Sequence, residues 1–183
     1  MFAETEPPRL RSKILGVNAL YSLSYGDNIY VQLIEMPDKH TFVATTDEPV
    51  PLMIDKDTLT QQGLFEWNDN LSCTLGITHP KKLIDGSHIS YCAHIGLETT
   101  ITVYKIHPSK PKTRVAIGSF NTKHLAYGHS MGLTEEYAII LEQPIMFDMF
   151  GMVSGKPMME DMLLLKDETT KVHVIKLSDG THH

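Results

Sequence analysis

The chain of 183 residues is 42% hydrophobic and 21% charged, which is ordinary for a globular domain with a buried core. Its net charge of −6 argues against nucleic-acid binding, which requires a basic surface. The sequence has no run of about 18 apolar residues, as a transmembrane helix needs, so we expect residues 1–183 to form a single soluble domain.

Ten short segments are rich in β-branched and aromatic residues and are therefore predicted to be strands. In chain order they are 28–34, 40–46, 50–54, 71–78, 88–95, 100–106, 113–120, 136–142, 161–166 and 171–177. Turn-forming residues such as Asp85-Gly86 and Asp179-Gly180 separate them. Because strands do not alternate with helical patterns, the sequence predicts an all-β antiparallel meander, arranged as a sandwich, barrel or propeller.

The two cysteines, Cys73 and Cys92, fall in two of these predicted strands and lack CxxC spacing. We expect them to be buried free thiols rather than a disulfide, as in a reducing compartment. The N-terminal residues also lack the basic-then-apolar order of a signal peptide. Both features favour a cytoplasmic protein.

Two of the ten histidines share a local setting, fifty residues apart. His79 follows a predicted strand and precedes Pro80, and His129 precedes a turn and the apolar strand 136–142. Taken alone, each is more readily interpreted as a structural core or loop histidine. Together they are candidate metal ligands, because the inner strands of a propeller direct side chains to a common axis. No HExxH, P-loop, GxGxxG or GxSxG motif suggests another active site.

The segment 145–162 concentrates methionine and differs from the strands around it. Met146, Met149 and Phe150 could share one face of a helix of about two turns. One interpretation is a methionine-filled piece of core. The alternative is an exposed patch of Met146, Phe147, Met149 and Phe150 that contacts a membrane peripherally or binds an apolar substrate.

Three ordered motifs resemble the carotenoid cleavage oxygenase family. GHSMGLTEEYAIILEQP (128–144) resembles the family signature HSFG-x-TE-x-Y-x-I-x-x-EQP, and ITHPK (77–81) resembles its (A/T)HPH segment. Residues 47–63 resemble its acid-then-proline stretch followed by (I/V)-D-P-x-T-L. Weaker similarity in 26–33 and 171–180 extends the resemblance over most of the chain, with 1–25 only weakly matched.

This resemblance implies a seven-bladed β-propeller with a non-haem Fe(2+) ion held on its axis by four histidines. Such enzymes use O2 to cleave a conjugated double bond of a carotenoid, apocarotenoid or stilbenoid, and one vertebrate branch isomerises and hydrolyses retinyl esters. The chain would then be a partial β-propeller of about three to four blades, with His79 and His129 as two iron ligands. A family glutamate that orients a ligand imidazole falls on Asp47, with Glu48 one residue away. A solvated turn is the other interpretation of these acids.

The family's third and fourth histidines have no clear match, and His182 and His183 follow a turn rather than a strand. One expectation is therefore a fragment of a dioxygenase whose partners are O2 and a carotenoid, apocarotenoid or retinoid. A second is a catalytically incompetent module that binds an apolar ligand or a membrane surface. A third is an all-β scaffold without a site. Whether the chain is an enzyme stays open on sequence alone.

Overall fold

The structure, a computed structural model, describes residues 31–36, 39, 41–47, 49–124, 126–147 and 162–183. Within these ranges it contains strands and no α-helix, as the sequence predicts. None of the described elements is therefore a helix long and apolar enough to span a membrane. The strands are β1 (Gln32–Glu35), β2 (Phe42–Thr45), β3 (Leu52–Ile54), β4 (Gln61–Leu64), β5 (Lys81–Lys82), β6 (His88–Ile95), β7 (Thr99–Ile106), β8 (Arg114–Thr122), β9 (Gly132–Leu133), β10 (Tyr137–Glu142), β11 (Ile145–Phe147), β12 (Met162–Leu164) and β13 (Lys171–Lys176).

The strands form two four-stranded meanders and two smaller antiparallel sheets. The first meander has the order β1-β2-β3-β4 and the second β5-β6-β7-β8. A third sheet has the order β13-β10-β9, and β11 and β12 pair as a ribbon. Each meander connects neighbouring strands in sequence, which is the pattern of a propeller blade.

The second meander is the central layer, since its middle strands β6 and β7 are buried on both faces. The stretch from His88 to Ala93 is buried without interruption. On one face, Ile89 and Val103 pack with Ile140 and Ile175 of the third sheet. On the other face, Tyr104 and Ile106 pack with Met36, Val43 and Phe65 from or beside the first meander. The loops that carry the candidate site are positioned by these two cores.

The structure differs from the predicted strands at one predicted segment that is not a strand and at four strands that were not predicted, β4, β5, β9 and β11. The predicted strand 71–78 is wrong, because this segment makes only one isolated bridge to β6, between Leu75 and Ala93. By contrast, β4 was not predicted, since its sequence QQGL has little strand propensity. It forms because β3 provides a hydrogen-bonding edge, with Leu52 paired to Leu64.

The prediction of free thiols is also wrong. Cys73 and Cys92 form a disulfide, with their Cα atoms 5.7 Å apart. Because segment 71–75 runs antiparallel beside β6, the Leu75–Ala93 bridge brings the two cysteines together. Nothing in a spacing of 19 residues reveals that pairing in advance.

A buried ion pair holds the same segment to the second meander. Asp69 accepts hydrogen bonds from the Arg114 guanidinium at 2.7 Å and from its backbone N–H at 2.7 Å. Arg114 also donates to the carbonyl of Leu71 and stacks 4.7 Å over the ring of Trp67. The loop that leads to His79 is therefore fixed by a disulfide and a charged pair.

Candidate metal centre

The candidate site draws its residues from loops and one strand that belong to different parts of the fold. Gln32 lies on β1, and Asp47 follows β2. His79 precedes β5, and His129 lies between β8 and β9. The site therefore depends on how the sheets pack against one another, not on one local motif.

Backbone and hydroxyl hydrogen bonds hold these segments in place. The N–H of Gly76 donates to the Asp47 carbonyl at 2.8 Å, and the Thr45 hydroxyl donates to the Thr78 carbonyl at 2.8 Å. The N–H of Tyr127 donates to the carbonyl of Ile145 at 3.0 Å. Each segment that carries a site residue is thus tied to a neighbouring element.

The His129 imidazole is oriented by a carboxylate. Its Nδ1 lies 3.1 Å from both Oδ1 and Oδ2 of Asp47. Since an ionised carboxylate can only accept, Nδ1 carries the proton and donates it, and the lone pair lies on Nε2. The hydroxyl oxygens of Tyr127 and Thr78 lie 3.2 Å and 3.5 Å from the same Nδ1.

The His79 imidazole has a neutral partner instead. Its Nδ1 contacts the side-chain carbonyl oxygen of Gln32 as a hydrogen-bond donor. The rings of His79 and His129 meet edge to face, with centroids 4.8 Å apart and planes at 80°. Among the described residues, neither Nε2 atom has a hydrogen-bond partner. Both imidazoles therefore keep the nitrogen lone pair that a metal would use.

Local electrostatics favour a neutral His79, the form that binds metal. Burial lowers the pKa of His79, and the neighbouring His129 and Lys81 lower it further against the opposing effect of Asp47. Burial and the Asp47 charge raise the pKa of Tyr127. Its hydroxyl therefore stays protonated and can donate a hydrogen bond.

Gly128 allows the loop to pass close to the second meander. A Cβ at this position would collide with the buried hydroxyl of Tyr91 on β6. Glycine is favoured at position 128 because any side chain there would have to displace the Tyr91 hydroxyl. The loop is therefore pressed against the core immediately before the imidazole.

Of the five remaining predicted site residues, the structure describes two and leaves three outside its described ranges. Met146 and Phe147 lie on β11, so the predicted helix is wrong for this part of the segment. Met149, Phe150 and Glu48 lie outside the described residues.

Three neighbours of the site were missed by sequence reasoning: Gln32, Thr78 and Tyr127. Thr78 adjoins His79, and Tyr127 lies two residues before His129, so proximity in sequence was an available signal. Gln32 had only the weak resemblance of residues 26–33.

His182 belongs to a separate cluster. Its ring stacks on Phe120 with centroids 4.6 Å apart, and its Nε2 lies 3.0 Å from Nδ1 of His173. Nε2 of His173 in turn donates to Glu142 at 2.8 Å. Within the described part of the chain, no three or more His, Cys, Asp or Glu side chains form a group that could hold a metal. Within the described residues, the candidate centre therefore contains two imidazoles, those of His79 and His129.

Comparison with solved structures gives the same fold. A mutant of Synechocystis apocarotenoid oxygenase matches with a TM-score of 0.71 at 15% identity, covering 92% of this chain and 36% of that chain. The cobalt-substituted form of the Synechocystis enzyme matches with a TM-score of 0.73 at 15% identity, covering 98% and 38%. These similarities establish the all-β partial propeller.

Comparison of sequences gives the family. The rat (Rattus norvegicus) β,β-carotene 15,15′-dioxygenase is 24% identical over 170 residues, which cover 82% of this chain and 30% of the dioxygenase. The chain thus spans about a third of the length of these relatives. The profile of the retinal pigment epithelial membrane protein family matches residues 14–183. The chain therefore belongs to this family, that of the carotenoid cleavage oxygenases which its motifs resemble.

Proposed function

We propose that this chain carries part of the Fe(2+) centre of an oxygenase that uses O2 to cleave a conjugated double bond of a carotenoid or apocarotenoid. The observation that carries the proposal is the pair of imidazoles at His79 and His129. Each has Nδ1 engaged by an oxygen acceptor, and their rings lie 4.8 Å apart. Family membership and the names of the relatives support the reaction and the substrate class.

The donor set suits the proposed ion. Neutral imidazoles bind Fe(2+) well, and hydrogen-bonded acceptors behind them fix the tautomer and the ring orientation. His79 and His129 would hold the ion, while Gln32 and Asp47 orient them. When bound, the ion would supply the activation of O2. The protein residues keep Nδ1 of each ring protonated, which leaves the Nε2 lone pairs for the ion.

Iron retention tests the centre directly. The purified chain is loaded with Fe(2+) without oxygen, desalted, and assayed for iron per chain. We expect His79→Ala and His129→Ala to lose the iron that the wild type retains, and His107→Ala to keep it. His107 is a suitable control because it is exposed and hydrogen-bonds only within its own turn, to Ser109. Equal iron in all four proteins would contradict the proposal.

Turnover is tested on the same samples. The iron-loaded chain is incubated with β-carotene or with an apocarotenal under O2, and products are separated by chromatography. Cleavage products that vanish in His129→Ala support the oxygenase. Retained iron with neither substrate cleaved would reject the reaction and leave a metal-binding module. A retinyl ester in a third incubation distinguishes isomerisation with hydrolysis from oxidative cleavage.

A second candidate function is peripheral contact with a membrane or apolar ligand. On the β11–β12 ribbon, Met146 pairs with Leu163, and Leu163 and Leu164 are 44% and 63% exposed. Because successive strand residues point to opposite faces, Leu163 shares a face with its cross-strand partner Met146, and this face could insert among lipid chains. This contact would suit a substrate that partitions into membranes.

A further inference from the structure

We propose that Tyr127 is a positioning residue of the candidate metal centre, where its hydroxyl steadies the His129 imidazole that the short Asp47 carboxylate, held by Thr78, orients only loosely. This inference rests on the proposed function, since positioning matters only if His129 binds a metal. It concerns residues of this chain that the family resemblance does not assign.

The need for such support follows from the length of the Asp47 side chain. The resemblance implies a glutamate at this place, and aspartate is one methylene shorter. Both Asp47 oxygens lie 3.1 Å from Nδ1 of His129. Hydrogen bonds to a charged partner are typically about 2.7–2.9 Å long. The carboxylate thus approaches the imidazole symmetrically and at long range, and this contact alone would aim the ring loosely.

Two hydroxyl groups compensate from different sides of this contact. The Thr78 hydroxyl donates to Oδ1 of Asp47 at 2.6 Å and so holds the carboxylate. Thr78 is fully buried, and its carbonyl is held by Thr45. The carboxylate is therefore fixed between Thr78 and His129, while the Tyr127 hydroxyl lies on the imidazole side.

Tyr127 also restricts the imidazole itself. Its hydroxyl oxygen lies 3.2 Å from Nδ1 of His129, and the two rings are nearly parallel, at 25°, with centroids 6.0 Å apart. Its backbone N–H is bonded to the carbonyl of Ile145. Tyr127 therefore contacts the donor nitrogen of the His129–Asp47 hydrogen bond and is itself fixed by its backbone.

The test compares Tyr127→Phe, Asp47→Glu and the double variant with the wild type. Tyr137→Phe is the matched control, since Tyr137 lies on β10 outside the site. The first readout needs no metal: nitrogen-15 NMR of the imidazoles reports which nitrogen of His129 is protonated. The second readout is the dissociation constant for Co(2+), followed by visible absorption.

We expect a single Nδ1–H tautomer for His129 in the wild type and a mixture of tautomers in Tyr127→Phe. Co(2+) affinity should fall about tenfold in Tyr127→Phe, as for other groups that orient metal ligands. Asp47→Glu should restore both in the double variant, because the longer carboxylate reaches Nδ1 unaided. A purely structural tyrosine would not be rescued in this way.

Two results would overturn the inference. One is an unchanged tautomer in Tyr127→Phe, matching Tyr137→Phe. The other is a double variant no better than Tyr127→Phe. If the wild type binds no Co(2+), the proposed function fails, while the tautomer measurement still decides whether Tyr127 positions His129.

Discussion

At the scale of single residues, the two imidazoles of the site have different partners. His129 faces the charged carboxylate of Asp47, whereas His79 faces the neutral amide of Gln32. A carboxylate partner makes an imidazole the more basic ligand, so His129 should contribute more to metal affinity than His79. The amide still determines which nitrogen of His79 carries the proton.

Gln32→Leu removes that amide at nearly constant size. We expect Co(2+) affinity to fall about tenfold, because His79 loses the acceptor that fixes its tautomer. Gln62→Leu is the control, since Gln62 is exposed on β4. Titration with Co(2+) measures both variants, and equal affinity in wild type and Gln32→Leu would show that the amide is not needed.

Gly128→Ala tests the close approach of the His129 loop to β6. The added Cβ would collide with the Tyr91 hydroxyl, and such overpacking costs about 1–3 kcal/mol. Tyr91→Phe in the same chain removes the hydroxyl and should recover most of that loss. Urea unfolding gives the free energies. Gly96→Ala, where a Cβ would lie at an ordinary 3.5 Å from the Glu98 carbonyl, should change little. A Gly128→Ala protein as stable as Gly96→Ala would contradict the steric argument.

At the scale of elements, segment 65–75 behaves as a strap that joins the first meander to the second. It follows β4, packs Phe65 into the core shared with the first meander, and is fixed to β8 through Asp69 and Arg114. The disulfide fixes it to β6 at Cys92. Because the strap leads directly to Thr78 and His79, its attachment determines where one candidate ligand lies.

Asp69→Asn should destabilise the fold by about 3–5 kcal/mol, the usual cost of leaving one charge of a buried pair without its partner. Burial alone would raise the pKa of Asp69, but hydrogen bonds from Arg114 and from the Leu71 N–H outweigh it and hold the pKa below its usual value. The stabilisation is therefore fully present well above the ordinary pKa of an aspartate and is lost as the pH falls through the lower folded-state pKa. Urea unfolding over this pH range should show a smaller acid-side loss in Asp69→Asn than in the wild type. Parallel curves would contradict the assignment.

Replacing both Cys73 and Cys92 with alanine should cost about 3 kcal/mol, because the disulfide closes a loop of 19 residues in the unfolded chain. Thermal unfolding of the wild type with reductant should approach that of the double variant without it. A melting temperature insensitive to reductant and to the substitutions would contradict a contribution from this bond.

Strongly patterned elements were predictable from sequence, and contacts between distant segments were not. The predicted strand 88–95 matches β6 to the residue, since its run of β-branched and aromatic side chains is buried on both faces. The prediction of a strand over 71–78 was wrong, because the apolar residues of this segment pack as part of the strap and not within a sheet. For the site, motifs identified His79 and His129 as a pair. The acceptor Gln32 was missed, because nothing local in its sequence indicates which loop it faces.

At the scale of the whole molecule, an acidic chain carries an exposed apolar ribbon. The net charge of the 183 residues is −6, yet Leu163 and Leu164 are exposed at successive positions of β12. Anionic lipids would repel such a chain, so any membrane contact must come from apolar insertion. Neutral lipid is therefore the appropriate surface for a test.

We expect the chain to float with vesicles of neutral phosphatidylcholine and Leu163→Asp to remain in the soluble fraction. An aspartate on the ribbon would have to enter the lipid interface, which is unfavourable. Leu97→Asp is the control, because Leu97 is fully exposed in the β6–β7 turn and away from the ribbon. Wild-type protein that stays in the soluble fraction would reject membrane contact.

The carboxylate that orients His129 lies 82 residues earlier in the chain. During synthesis on the ribosome, Asp47 emerges long before His129. The first meander can therefore form before His129 has been translated. Contacts between residues so far apart in sequence form slowly, because much chain must be ordered before they meet. A metal ion held by both His79 and His129 could therefore bind only after translation has passed His129 and Asp47 has met it.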